Sequence, residues 1–292
     1  MCENKNINKV EASEEIDKNK EIPEEFMELL ATYIRLAGLH MTVTQRAKAV
    51  KQPRGGYIKR VEFDEVSLGA GDEVLNEYEN VHASLMGMAI DYLTRFILTG
   101  DREDAFKISL LGSDRIGELE TATILLYGIR GLDDLSITNA IKISGYDVLY
   151  RTSGVGFVPI EEINPDQDTI ENVRIMVKRT LNFFEKYGPI TKDGFTFEGA
   201  YTKIIASGDG DYLTKDILRD LKVLKNHFTK NHTLQLFIYR RMGLKSDYET
   251  FKNIKYLGIY NPRKNKVFTY ELSKLSEETI RIVDEEVIGY VS

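Results

Sequence analysis

The order of segments after Gly194 constrains this chain most. Two short β-prone runs, DYL (211–213) and ILRDLKVL (217–224), flank a turn at Thr214-Lys215-Asp216. HTLQLFIYRRMG (232–243) follows with helical spacing, and IKYLGIY and KVFTYEL then flank a second turn signal, NPRKN (261–265). SEETIRIVDEEVIG closes the chain as a helix, with Ser276 placed to cap it. Turn residues between β-branched and aromatic runs predict hairpins. A helix between two hairpins predicts an α/β core, with FTFEGAYTKIIAS (195–207) supplying a further strand.

Upstream the texture is helical. EEFMELLATYIRLAGL (24–39) predicts a helix, and residues 73–98 predict one long helix. YIKRVEF (57–63) alternates and predicts a strand. Residues 99–194 predict a series of helices. The expected organisation is an acidic, disordered tail (1–21), N-terminal helices and a strand completing the core (22–98), a helical insertion (99–194) and the α/β core (195–292).

No apolar run has transmembrane length, and the start of the chain is acidic and polar rather than signal-like. With Cys2 as the single cysteine, an internal disulfide, a cysteine-ligated zinc and an iron–sulfur cluster are all excluded. These features predict a cytoplasmic protein with no membrane partner. The formal charge of −7 is uneven: residues 1–28 hold nine acids and four lysines. Arg46, Lys48, Lys51 and Arg54 lie in a stretch without acids, and Lys225, Lys230, Arg240 and Arg241 lie in another basic stretch. Local basic surface, more than total charge, decides phosphate binding. Such runs are equally common as solvated faces.

The densest chemistry lies at GDGDYLTKDILRDLKV (208–223). Residues i and i+2 of a strand share a face, so Asp220 and Lys222 point the same way, and a tight hairpin brings Asp211 near Asp220. Two carboxylates so placed, with the carbonyl of Leu221, suit a hard divalent cation such as Mg²⁺ or Mn²⁺. On the next helix Gln235 and Tyr239 are at i and i+4 and share a face. Plainer readings exist for each: a polar turn at Asp209 and Asp211, a strand-face ion pair at Asp220 and Lys222, and ordinary helix positions for Gln235 and Tyr239. His82 reads as a helix-face residue, and His227 and His232 flank the basic loop.

The ordered set Gly208-x-x-Asp211, Asp220-Leu221-Lys222 and Gln235-x-x-x-Tyr239 resembles the RecB-like branch of the PD-(D/E)XK nuclease superfamily. The resemblance covers about 195–272 and the 73–98 segment. There Gly87-Met-Ala-Ile-Asp91 matches the family's Gly-x-x-x-His spacing, with Asp91 in place of the histidine. It implies an α/β (α+β) fold with a central mixed sheet flanked by helices and interrupted by a large helical insertion. It further implies a Mg²⁺- or Mn²⁺-dependent nuclease acting on DNA, with RNA kept open. Asp211, Asp220, Lys222, Gln235 and Tyr239 would be catalytic, and Asp91, Asp211, Asp220 and Leu221 would hold metal. Arg46, Lys48, Lys51, Arg54, Lys225, Lys230, Arg240 and Arg241 would line the nucleic acid. The alternative is an inactive nuclease-fold module that binds nucleic acid, or grips a protein partner through 99–194.

Overall fold

A computed structural model of the chain describes residues 41–69, 73–151, 154 and 156–291. The expected tail (1–21) and the helix at 24–39 lie outside the described residues. In chain order come β1 (Met41–Thr42), α1 (Val43–Ala49), β2 (Asp64–Ser67), α2 (Ala83–Thr99), α3 (Arg102–Ala105), α4 (Lys107–Asp114), α5 (Leu119–Tyr127), α6 (Asp134–Ser144), α7 (Asp147–Arg151) and α8 (Gln167–Tyr187). Then follow β3 (Lys192–Phe195), β4 (Ile205–Ser207), β5 (Gly210–Leu213), β6 (Ile217–Leu221), α9 (Lys230–Lys245), β7 (Tyr256–Asn261), β8 (Lys266–Glu271) and α10 (Glu277–Ile282). The last helix continues as a π-helical turn over Val283–Ile288.

Among the described residues, six strands form a mixed sheet in the order β2-β8-β7-β6-β5-β3. Within this sheet β6 and β7 pair in parallel, with α9 as their connection, and the other neighbours are antiparallel; β1 and β4 form a separate parallel pair. Both expected hairpins, β5–β6 and β7–β8, are present. Ser276 caps α10 by accepting from the Thr279 amide at 3.1 Å.

Alternation along the strands divides the core in two. Tyr212, Leu221, Tyr260 and Val267 join α2, α8 and the helices between them. Leu213, Leu218, Leu257, Ile259 and Phe268 face α1, α9 and the C-terminal helix. β6 is buried on both faces along most of its length, as a central strand with a parallel neighbour should be. The helices at 99–194 share one apolar core with α2 and a sheet face. Phe183 of α8 stacks on Tyr260 of β7 at 4.0 Å, an arrangement that contributes about 0.5–1.5 kcal/mol beyond area burial. The boundary expected at 194/195 falls inside β3.

Two expected elements are corrected. The long helix begins at Ala83 rather than at residue 73. Residues before it are held as irregular chain by α8: the amides of Asn76 and Asn80 donate to Asn172 Oδ1 (2.7 Å) and Thr169 Oγ1 (3.0 Å). Tertiary partners for the backbone here override helical periodicity. His82 is the cap of α2, accepting from the Ser84 amide at 3.3 Å, rather than a helix-face residue. The strand expected at 57–63 lies instead at Asp64–Ser67, after a 3₁₀ turn at Arg60–Glu62. Ile58 and Phe63 are buried through loop packing, Phe63 against Phe228 and Tyr270. Among the described residues no helix is long and apolar enough to cross a membrane.

Candidate active site

The β5–β6 hairpin sets the geometry. Thr214 N–H closes the turn on the Ile217 carbonyl at 3.0 Å, and Tyr212 pairs with Arg219. One step further along this register, Asp211 stands across from Asp220. Asp211 Oδ2 accepts from the Leu221 amide at 2.7 Å. Two glycines make the approach possible. A Cβ on Gly210 would sit 2.3 Å from the Phe195 ring, and one on Gly208 would sit 2.6 Å from Val43. The Gly-Asp-Gly-Asp run is therefore a packing requirement as well as a polar turn.

Asp220 is 2% exposed. Lys222 Nζ lies 2.8 Å from Asp220 Oδ2, yet that oxygen receives no well-directed hydrogen bond. Burial, and then the charge of Asp220, push the Asp211 carboxyl up to about 8. Burial opposes the Lys222 ammonium, but Asp220, Asp211 and Asp209 outweigh it and raise its pKa. Two buried carboxylates in contact are unfavourable unless a proton or a cation sits with them.

α9 covers the pair. Gln235 Nε2 donates to Tyr239 Oη (2.9 Å) and to Thr44 Oγ1 of α1 (3.0 Å). Both side chains line an open cleft of about 620 Å³ together with Gly87, Asp91, Asp211, Leu221 and Lys222. Burial first, then the charges of Asp209, Asp220 and Asp211, raise the Tyr239 phenol far above its ordinary value. Its proton is thus retained. The cleft unites Asp91, Asp211, Leu221, Lys222, Gln235 and Tyr239, with Asp220 behind Lys222.

Asp91 does not face solvent. Its carboxylate is paired with Arg95 at 3.0 Å and accepts from the Tyr212 hydroxyl. Burial raises its pKa, and the charge of Arg95 pulls the other way. Among the described residues no group of three or more His, Cys, Asp or Glu side chains is arranged to hold a metal ion. Asp91 is thus engaged in holding α2 to β5.

Sequence reasoning passed over Arg95, Asp147 and Arg151. Asp147 is fully buried and accepts from Tyr92 Oη (2.5 Å), Ser109 Oγ (2.6 Å) and Arg151 Nε (3.2 Å). Arg151 Nη1 reaches both oxygens of Asp209, at 2.8 and 2.9 Å. The helical region thereby anchors the loop that leads into β5. The available signal was the i,i+4 spacing of Asp91 with Arg95 and of Asp147 with Arg151. With every carboxyl ionised, this connected cluster holds five carboxylates and three cations.

The expected basic rim divides. Lys48, Lys51, Arg54 and Lys225 are exposed and Lys230 is half-buried; Lys225 lies 3.4 Å from Glu79. The expectation fails for three arginines, whose guanidinium groups are committed inside the fold. Arg46 donates to the carbonyls of Val287 (2.8 Å) and Glu286 (2.6 Å). Arg240 donates to the Ile254 carbonyl (3.1 Å), and Arg241 grips Asp284 through two bonds of 2.8 and 2.5 Å. Arg241→Ala should therefore cost about 1–3 kcal/mol of stability, since it leaves a partly buried carboxylate unpaired. Urea unfolding will show this as a lowered midpoint, whereas the salt dependence of nucleic-acid binding should not move. His232 accepts from the Thr229 amide at 3.0 Å and is pushed down to about 4 by burial and by nearby Lys222 and Lys48, so it is neutral.

No family model matches this chain, and comparison with curated proteins and with solved structures likewise gives no match. The functional reading consequently rests on the residues themselves. Two properties of the cleft bear on it. One is the Asp220 carboxylate, nearly fully buried, beside an Asp211 carboxyl whose pKa is raised by burial and by the charge of Asp220. The other is Lys222, which brings a single ammonium to the same spot from the residue just past the end of β6.

Proposed function

We propose that this chain is a divalent-metal-dependent nuclease of the RecB-like PD-(D/E)XK type, acting on phosphodiester bonds of DNA, with RNA as a second substrate. The observation that carries the reading is the pair of half-buried Asp211 and buried Asp220 beside Lys222 at an open cleft, on paired strands followed by the Gln235–Tyr239 helix. Asp211 and Asp220 would hold Mg²⁺ or Mn²⁺, which suit oxygen ligands. When bound, such an ion polarises a phosphoryl oxygen and makes hydroxide accessible near neutral pH. Lys222 would orient the attacking water and offset charge growing on the phosphate. Gln235 and Tyr239 hold each other and the α1 end of the cleft, and so keep its wall in place. The working compartment is the cytoplasm, in line with the single cysteine.

Incubation of the purified chain with linear, circular and single-stranded substrates in Mg²⁺, Mn²⁺ or EDTA tests the reading directly. Metal-dependent cleavage of any of them is expected. A second reading, a nuclease-fold binding module, is favoured by the missing third acidic or imidazole ligand among the described residues. Absence of cleavage under every condition would select it.

Lys48, Lys51 and Arg54 are the surface cations proposed to track phosphates. The triple alanine variant should weaken binding to all sequences alike. It should also flatten the plot of log K against log salt by roughly 0.7–0.9 for each phosphate that is no longer neutralised. An unchanged slope would show that these side chains form only a solvated face.

A further inference from the structure

A second chamber, of about 460 Å³, adjoins the acid cleft and shares Thr44, Arg151, Asp209 and Tyr239 with it. Its volume falls in the roughly 300–1,000 Å³ range of small-ligand sites. The apolar and aromatic side chains that line this chamber and not the cleft are Val43, Tyr150 and Tyr201; Ile108 lines both. Lys48 stands in the same lining and is exposed.

The two aromatic walls are held in place. Tyr201 Oη receives the Phe197 amide (3.1 Å) and donates to the Gly208 carbonyl (3.2 Å), directly before the acid turn. Tyr150 is 39% exposed, so part of its ring is open to the chamber. Arg115 braces it, with its guanidinium carbon 4.7 Å from the ring centroid and Nη1 donating to the carbonyls of Leu149 and Tyr150. The chamber thus offers a braced ring and an apolar patch beside hydrogen-bonding groups of Thr42, Gln45, Thr196 and Ser207, with Lys48 as an exposed cation. A flat, uncharged heterocycle attached to a phosphate matches that set.

We propose that this chamber is a nucleobase pocket, in which an unstacked base of the substrate packs on Tyr150 while Lys48 meets a flanking phosphate. The inference rests on the nuclease reading and adds to it that the site grips a base as well as the backbone. Because the chamber shares a wall with the acid cleft, an occupying base places its own sugar-phosphate next to Asp211 and Asp220. Stacking is tolerant of sequence, since every base has a π face, so the pocket would hold a strand without selecting its sequence.

The test uses the full chain in EDTA, with fluorescence anisotropy of a labelled thymidine 12-mer and of an abasic 12-mer of equal length. Wild type should bind the thymidine strand about tenfold more tightly. Tyr150→Ala should lose about fivefold or more on the thymidine strand, the low end for one stacked base, and nothing on the abasic strand. Tyr150→Phe should behave as wild type. An equal loss on both strands, or no loss on either, would overturn the pocket. Parallel cleavage assays in Mg²⁺ separate the two levels. Cleavage retained with no base discrimination refutes the pocket and leaves the nuclease reading standing. Neither binding nor cleavage refutes both.

Discussion

Asp220→Asn is expected to lower metal-dependent cleavage by at least about 100–1,000-fold, the loss typical of removing one preorganised electrostatic group from an active site. Asp220 is nearly fully buried and its Oδ2 is ion-paired with Lys222 at 2.8 Å, so the near-isosteric substitution removes the ligand charge and weakens that pair while keeping the side chain's shape. Mg²⁺ binding, followed by calorimetry, should weaken in step. Lys222→Ala should slow cleavage by a comparable factor while Mg²⁺ binding persists, because the lysine competes with the cation for Asp220 at 2.8 Å. The split between the two variants distinguishes a ligand from a group acting on water or phosphate. Wild-type rates for both would remove catalysis from this site.

The second large effect concerns stability. In the metal-free protein Asp211 is pushed up to about 8, against about 3.9 for an unperturbed aspartate. Between those values the folded chain retains a proton that the unfolded chain has released. Stability therefore falls as pH rises from about 4 through 8, and no further contribution is lost above that. Asp211→Asn removes the repulsion, and its amide carbonyl can still accept from the Leu221 N–H. In EDTA at pH 8.5 the variant should be more stable than wild type by about 1–3 kcal/mol, the scale on which buried charges cost stability. At about 2–4 °C per kcal/mol this is a rise in Tm of several degrees. The difference should shrink toward pH 5. Mg²⁺ should raise the Tm of wild type and leave the variant nearly unchanged. A variant that melts below wild type at pH 8.5 in EDTA would show that the pair is not strained. The variant is also expected to be inactive, so this site would exchange stability for chemistry.

The two parts of the site that are legible in the sequence have a common origin. Asp220 and Lys222 share a face because strands have a period of two, and Gln235 and Tyr239 share one because helices have a period near four. The hairpin at Thr214–Asp216 and the turn at NPRKN are legible from local turn chemistry, which depends on a few adjacent residues. For the same reason the order of elements after Gly194 is readable.

What is not legible depends on partners distant in sequence. Whether an arginine is a surface cation or an internal clamp is decided by what lies opposite it. Arg241 is spoken for because Asp284 lies on the closing helix, and Arg46 because the Val287 carbonyl does. That Asp91 pairs with Arg95 and accepts from the Tyr212 hydroxyl is likewise decided by what packs against α2. The start of α2 lies ten residues from its expected place because side chains of α8 satisfy the backbone before it.

The sequence by itself thus determined the hairpins, the order strand–strand–helix and the residues that could do chemistry, since each follows from spacing along the chain. Tertiary structure alone decided which of those residues meet. It set Asp211 against the buried Asp220, placed Arg151 between Asp147 and Asp209, and opened a chamber beside them. Charge, burial and the loss of water are properties of the assembled neighbourhood, and no local pattern in the chain encodes them.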